Sequence, residues 1–361
     1  MKNIIGILFL ALIAGACSQQ KTAESNTNEE EATSDSVVLK PRFVTSAVNY
    51  DSDDPAIWLN KKDLSQSLIL GTDKDTDGGI FVFDLQGNED TTRRVRNIQR
   101  PNNIEITYGV RLGDSLVDIA VFTEREKQQI RVYSLPEMQP LDNGGIPVFE
   151  DSEFRAVMGV GLYKPTDTSV QVIVSRKADS LWLDQYLYQY DLIPQDGYFV
   201  GKLTRKFGQF SGNEGEIEAI CVDQESGYVY YSDELFGVRK YHADPDMGND
   251  QLAAFGLDDF KEDREGISIY KTGSKTGYLL VSNQQANEFL VYPREGKAGN
   301  PHQHEIIARL KVSTNESDGS EVSHMNFGAP FEKGLFVAMS DDKTFQIYAW
   351  KDLLEEIERQ Q

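Results

Sequence analysis

The chain has 361 residues, with 58 acidic against 36 basic side chains and a formal net charge of −22. An excess of that size repels nucleic acid and anionic bilayer surfaces, so neither is a partner for the bulk of the chain. Two cysteines, Cys17 and Cys221, build no disulfide framework, and an anionic ligand would need a bound cation to offset the acids.

In chain order, Met1 to Asn3, the apolar run Ile4 to Ile13 and the small residues Ala14-Gly15-Ala16 before Cys17 read as a bacterial secretory signal. Residues 1–17 thus form a lipoprotein signal ending at a lipidated Cys17; an ordinary signal peptide with a chance cysteine is the alternative. The apolar run is too short to span a bilayer. Residues 18–40 are polar, carry Glu29-Glu30-Glu31 and have no aromatic residue, which reads as a disordered acidic tether. Ser18 stands where an aspartate would suggest retention at the inner membrane. The expected address is therefore the outer membrane of the cell envelope, with the N-terminal lipid as the sole membrane contact.

Residues 41–361 carry a repeat. A short β-rich segment recurs with an aromatic residue at Phe83, Tyr133, Tyr190, Tyr241, Tyr292 and Tyr348, at intervals of 50 to 57 residues. That period and six copies predict an all-β chain folded as a six-bladed β-propeller. Before each such segment lies an apolar strand with a polar end. Leu68–Thr72 runs to Lys74, Val117–Phe122 to Arg125, Val170–Val174 to Lys177, and Tyr228–Tyr231 to Glu234. The last repeat shows only three strands, so the strand Arg42–Val48 is expected to close it. Lys351–Gln361, with Leu353, Leu354 and Ile357 at helical spacing, reads as a short terminal helix used for packing.

Each repeat also opens on a strand with a polar start, as in Asp53-Asp54, Asn102-Asn103 and Asp263-Arg264-Glu265. In an antiparallel pair the start of one strand and the end of its neighbour share an edge, so all these groups are expected at one mouth of the central channel. Collected there are Asp53, Asp54, Glu105, Glu218, Glu234, Asp263, Glu265, Asp318 and Glu321. So many carboxylates repel one another unless hard cations neutralise them, and calcium, with six to eight oxygen ligands, fits better than zinc. Asn102, Asn103 and Gln284 would add neutral oxygens. A merely solvated polar rim is the plain alternative. Lys74, Arg125 and Lys177 interrupt the acids at equivalent positions in the first three repeats, which suits an anion bridged to calcium, phosphate first among them. Nucleophile elbows, P-loops and dinucleotide cradles are missing, Cys221 lacks the nearby arginine of cysteine phosphatases, and His302 and His304 sit in a Pro-flanked turn as a surface pair.

Asp53-Asp54-Pro55-Ala56-Ile57-Trp58, Arg100-Pro101-Asn102-Asn103, Glu216-Ile217-Glu218-Ala219, Asp263-Arg264-Glu265-Gly266 and Gly277 to Gln284 fall in an order that resembles the β-propeller phytases. These are calcium-dependent bacterial 3-phytases that hydrolyse myo-inositol hexakisphosphate, or phytate, and the likeness runs from about Arg42 to Trp350. It implies that Asp54, Asn102, Glu218, Glu234, Asp263, Glu265 and Gln284 serve a cluster of several calcium ions, with Asp53 beside it and Asp318 as a further ligand. It implies that Lys74, Arg125 and Lys177 bind substrate phosphates, and that Glu218, Glu234, Lys74 and Arg125 take part in catalysis. The substrate would be phytate or another inositol phosphate, as its calcium complex, attacked by metal-activated water without a covalent intermediate, on a monomer. Asp75 replaces a lysine frequent in the family, Met158 replaces a tyrosine, and the acid-rich loop before Asp318 is shortened to Asn315–Gly319. Two other readings stay open: a non-catalytic calcium-binding surface propeller, and a calcium-dependent lactonase.

Overall fold

The computed structural model describes residues 37–177, 184–212 and 215–361. The signal, lipidation and most of the tether fall on residues 1–36, outside the described residues. Leu39, assigned to the tether by composition, is buried and bonds through its amide to the Lys311 carbonyl at 2.8 Å. The short apolar run Val37-Val38-Leu39 at the end of a polar stretch was the available sign of this.

The described strands form six four-stranded antiparallel sheets and a single α-helix, Trp350–Gln360. The innermost strands are Ser52–Trp58, Ile104–Leu112, Val157–Thr166, Ile220–Asp223, Arg264–Lys271 and Ser320–Ser323. Each packs beside the next and the last returns to the first, which closes a ring around a channel. This is the six-bladed propeller that the aromatic period predicts. In the sixth blade Phe43–Val44 pairs as the outermost strand with Ile347 and Gln346, so the two chain ends latch the ring as expected. Such closure leaves no open seam in the circle of sheets.

The blades hold together face to face. All six apolar clusters lie between neighbouring blades; one joins Ile69, Phe81 and Phe83 of the first to Leu335, Val337 and Ile347 of the sixth. Another joins Val121 and Val132 of the second to Val160 and Val172 of the third. Alternation along each strand supplies both faces, because successive side chains point to opposite sides of the sheet. The C-terminal helix adds Trp350, Leu353 and Ile357 to the cluster between the fifth and sixth blades, with Trp350 stacked on Tyr270 at 3.8 Å. Packing is its role, as its apolar spacing predicts.

Register places the functional groups. Ser52 lies opposite Asp73, Ile104 opposite Phe122, Val157 opposite Arg176, and Arg264 opposite Asn283. The starts of the inner strands and the ends of the second strands therefore share one end of the channel, called here the upper mouth.

Candidate active site

Glu218 is the hub of the upper mouth. Its Oε1 accepts from Asn102 Nδ2 at 3.1 Å and from Arg125 Nη2 at 3.2 Å, and its Oε2 lies 4.0 Å from Lys74 Nζ. Three blades thereby meet on one carboxylate. The main chain at Glu218 is held close against the third blade, where a side chain at Gly159 would strike the Glu218 carbonyl. Burial raises the acid's pKa, but Lys74 and Arg125 more than offset it and hold Glu218 below its ordinary value.

Lys74 also pairs with Asp53 and lies 3.5 Å from Asp318. Gln284 Nε2 donates to the other oxygen of Asp318, and Gly266 N donates to the Asp318 carbonyl at 2.6 Å. Lys177 pairs with Glu216, whose amide donates to Glu234 Oε2 at 2.7 Å. Gln285 joins Asp263 to this side, giving Nε2 to Asp263 Oδ2 at 2.6 Å and to Gln284 Oε1 at 2.5 Å. The bond network and mutual charge effects thus link Asp53, Asn102, Glu218, Glu234, Asp263, Glu265, Gln284 and Asp318 with Lys74, Arg125 and Lys177.

Three acids placed at the mouth by sequence lie deeper. Asp54, Glu105 and Glu321 line a small chamber inside the channel together with Asn103. Asp54 Oδ2 accepts from Ile104 N at 3.0 Å, and its own amide donates to Thr72 Oγ1 at 2.9 Å. The irregularity between Ser52 and Pro55 in the first blade sets this order: Asp53 turns to Lys74 while Asp54 faces inward. Gly319 is required beside it, because any side chain there would meet the Asp54 carboxyl.

Burial dominates most of these acids, including some that pair with Lys74. It pushes Asp54 up to about 8, and Glu234 up to about 9 with help from the charges of Glu218 and Asp263. Asp318 rises to about 6 against the pull of Lys74. Glu105 and Glu265 are also driven well above the ordinary range by burial. These carboxyls are costly to ionise without a positive charge among them.

The unpaired atoms show what the mouth lacks. Asp53 Oδ2, Asn102 Oδ1, Asn103 Oδ1 and Glu265 Oε2 are buried acceptors without a hydrogen-bond partner, and Arg125 Nε is a buried donor without one. Acceptor oxygens in such number suit a hard cation with many oxygen ligands; an unpaired donor suits an anion. Among the described residues no three acidic, histidine or cysteine side chains already converge as a finished cation cage. Several acids turn instead to Lys74, Arg125 and Gln284. By donor chemistry and number the residues fit calcium.

Sequence reasoning missed Glu216 and Gln285. Glu216 stood inside the motif quoted for its neighbours, and Gln285 directly follows one. Met158 is fully buried.

The family described as Phytase matches residues 3–351. A relative, the 3-phytase of Bacillus subtilis (strain 168), is 27% identical over 327 residues, which cover 85% of this chain and 81% of that protein. With a six-bladed ring, a mouth of paired acids and bases, and a match over nearly its whole length, the chain belongs to the phytase family and is a phytase enzyme.

Proposed function

We propose that the enzyme releases phosphate from phytate at the upper mouth, with calcium held there, and that water attacks phosphorus directly. The observation that carries this is the set of unpaired buried atoms: acceptors on Asp53, Asn102, Asn103 and Glu265, and a donor on Arg125. Acceptors that suit a cation and a donor that suits an anion thus occur in one mouth, which is what a calcium-bridged phosphate ester requires.

Asp53, Asn102, Glu218, Glu234, Asp263, Glu265, Gln284 and Asp318 would hold the calcium ions at the mouth, and Asp54 would add a ligand from the chamber below. Bound there, calcium would supply Lewis-acid polarisation of phosphate oxygens and a lowered pKa for water. The chain's own groups do the rest. Arg125, fixed by Glu218, offers its free Nε to a phosphate oxygen, and Lys74 and Lys177 add charge on either side. Asn102 and Arg125 together orient Glu218. Glu234, whose Oε2 is already bonded to Glu216 N, is placed to exchange a proton with the incoming water or the leaving alcohol.

The reading is tested with phytate, p-nitrophenyl phosphate and a simple lactone as substrates, each with calcium and with EGTA. Calcium-dependent release from phytate, with the lactone untouched, is the expected result. Lactone hydrolysis alone would identify a lactonase, and calcium binding without turnover of any substrate a surface binding module. We also propose that Cys17 carries a lipid that tethers the enzyme to the outer membrane. Radiolabelled palmitate incorporated by the wild type and not by Cys17→Ser is the check.

A further inference from the structure

Arg100 lies in the connection from the first blade to the second, just before Pro101. Its φ is 56°, in the left-handed region that non-glycine residues seldom enter. Two hydrogen bonds keep it there. Arg100 N donates to the Asp75 carbonyl at 2.8 Å, and Arg125 N donates to the Arg100 carbonyl at 3.1 Å. Gln99 is anchored as well, through its amide to Glu124 Oε1 at 3.0 Å. The backbone of Arg100 is thus tied to the loop that follows Lys74 and to the residue that meets Glu218.

Among the described residues its side chain makes no ion pair, although the Asp51 carboxylate lies within reach of its charge. Lys74, Arg125 and Lys177 each pair with a carboxylate, whereas among the described residues the half-buried Arg100 guanidinium pairs with none. This happens in a chain with 58 acids to 36 bases, where a neutralising partner would have been easy to supply. The charge of Arg100 acts on Asp51 and on Arg125, so the two guanidiniums share one side of the mouth. Arg125 Nε, buried, is also without an acceptor. Two neighbouring guanidiniums with spare donors repel each other until an anion lies between them.

We propose that Arg100 is a further substrate-contacting residue, which acts with Arg125 to hold a phosphate group of the inositol ring and so favours polyphosphorylated rings over simple monoesters. The proposal takes the identity of the ligand from the phytase reading above. Its geometry rests on the backbone ties to the Lys74 and Arg125 loops and on the two unspent sets of donors. A ring with several phosphates can engage the Arg100 side of the mouth and the cleavage point together; a monoester has one group for both. Arg100 therefore acts on discrimination more than on the chemical step.

The test compares wild type, Arg100→Gln and Arg100→Lys as full chains at one fixed calcium concentration. Steady-state constants are measured on phytate and p-nitrophenyl phosphate, with equilibrium binding of phytate by calorimetry and the thermal midpoint of each variant. Arg100→Gln is expected to weaken phytate binding about tenfold or more, as for loss of a charge-assisted contact. Its loss in kcat/KM is expected to be at least about fivefold larger on phytate than on the monoester, with Arg100→Lys recovering part of the difference. Unchanged phytate binding, or equal loss on both substrates at an unchanged midpoint, overturns the proposal. Should Arg100→Gln lose its fold, the same comparison is read from Arg100→Lys, where a ratio equal to wild type counts against it. Absence of phytate turnover in the wild type would sink the parent reading alone, because the binding difference is measured without turnover.

Discussion

The two ends of the channel are built by the same six inner strands, yet they differ in how their polar groups are spent. The lower end holds a cavity of about 310 Å³, with walls that include Ile57, Leu59, Ile106, Leu162, Val222 and Ile269. Its lysines are paired: Lys164 Nζ donates to the Tyr108 carbonyl at 2.7 Å, and Lys271 pairs with Glu225 at 2.6 Å. The upper mouth leaves buried acceptors on Asp53, Asn102 and Glu265 unpaired. Size marks room for a ligand, whereas unmet donors and acceptors mark the chemistry.

Substitution at the hub should widen this contrast most. Glu218→Gln removes the charge that gathers Lys74, Arg125 and Asn102, and phytate kcat should fall about 1,000-fold while the far-ultraviolet dichroism of the propeller is kept. Arg125→Ala should follow, at about 100-fold in kcat/KM, since it loses both the tie to Glu218 and the free Nε. Retention of more than a tenth of wild-type activity in either variant would mean that the hub is structural.

Acidity gives an effect on stability. Asp54 and Glu234 titrate near 8 and 9 in the cation-free fold, against ordinary values of 3.8 and 4.5. Between the ordinary and the raised values the folded chain binds more protons than the unfolded chain, so stability must fall as pH rises through that window. In EGTA the thermal midpoint should drop steadily from pH 5 to pH 9. Calcium, which binds the folded form and offsets the same charges, should flatten the slope and raise the midpoint. Glu234→Gln should make the slope in EGTA shallower. A midpoint in EGTA that climbs over this range would contradict the burial argument.

Lys177 offers a smaller effect. Its side chain is 49% exposed and pairs directly with Glu216 near the surface, so Lys177→Ala should lower kcat/KM on phytate less than about tenfold. Smallest of all is Lys164→Ala at the lower end, which should change phytate kinetics less than about twofold. A larger loss there would move the site to the other mouth.

Much of this was readable beforehand. Aromatic residues from Phe83 to Tyr348 return at one period because each blade must bury the same two faces against its neighbours, and that constraint writes itself into sequence. The side of the ring that carries Lys74, Arg125 and Glu234 followed from strand direction alone. Depth did not. Asp53 and Asp54 are adjacent in sequence but part at a local irregularity, one toward Lys74 and one into the chamber with Glu105 and Glu321. Pairing was equally hidden, because it depends on loops from different blades meeting, as Asn102 and Arg125 do on Glu218. The value of Arg100 lay in a missing partner, which no sequence displays.

Equilibrium dialysis with radioactive calcium, on the wild type and on Glu265→Gln with Asp53→Asn, addresses the centre of the account most directly. Calcium bound by the wild type in more than one equivalent, with at least one equivalent lost in the double variant and phosphate release from phytate lost alongside it, is the predicted result. Equal calcium binding by both proteins, with phytate hydrolysis intact, would contradict it.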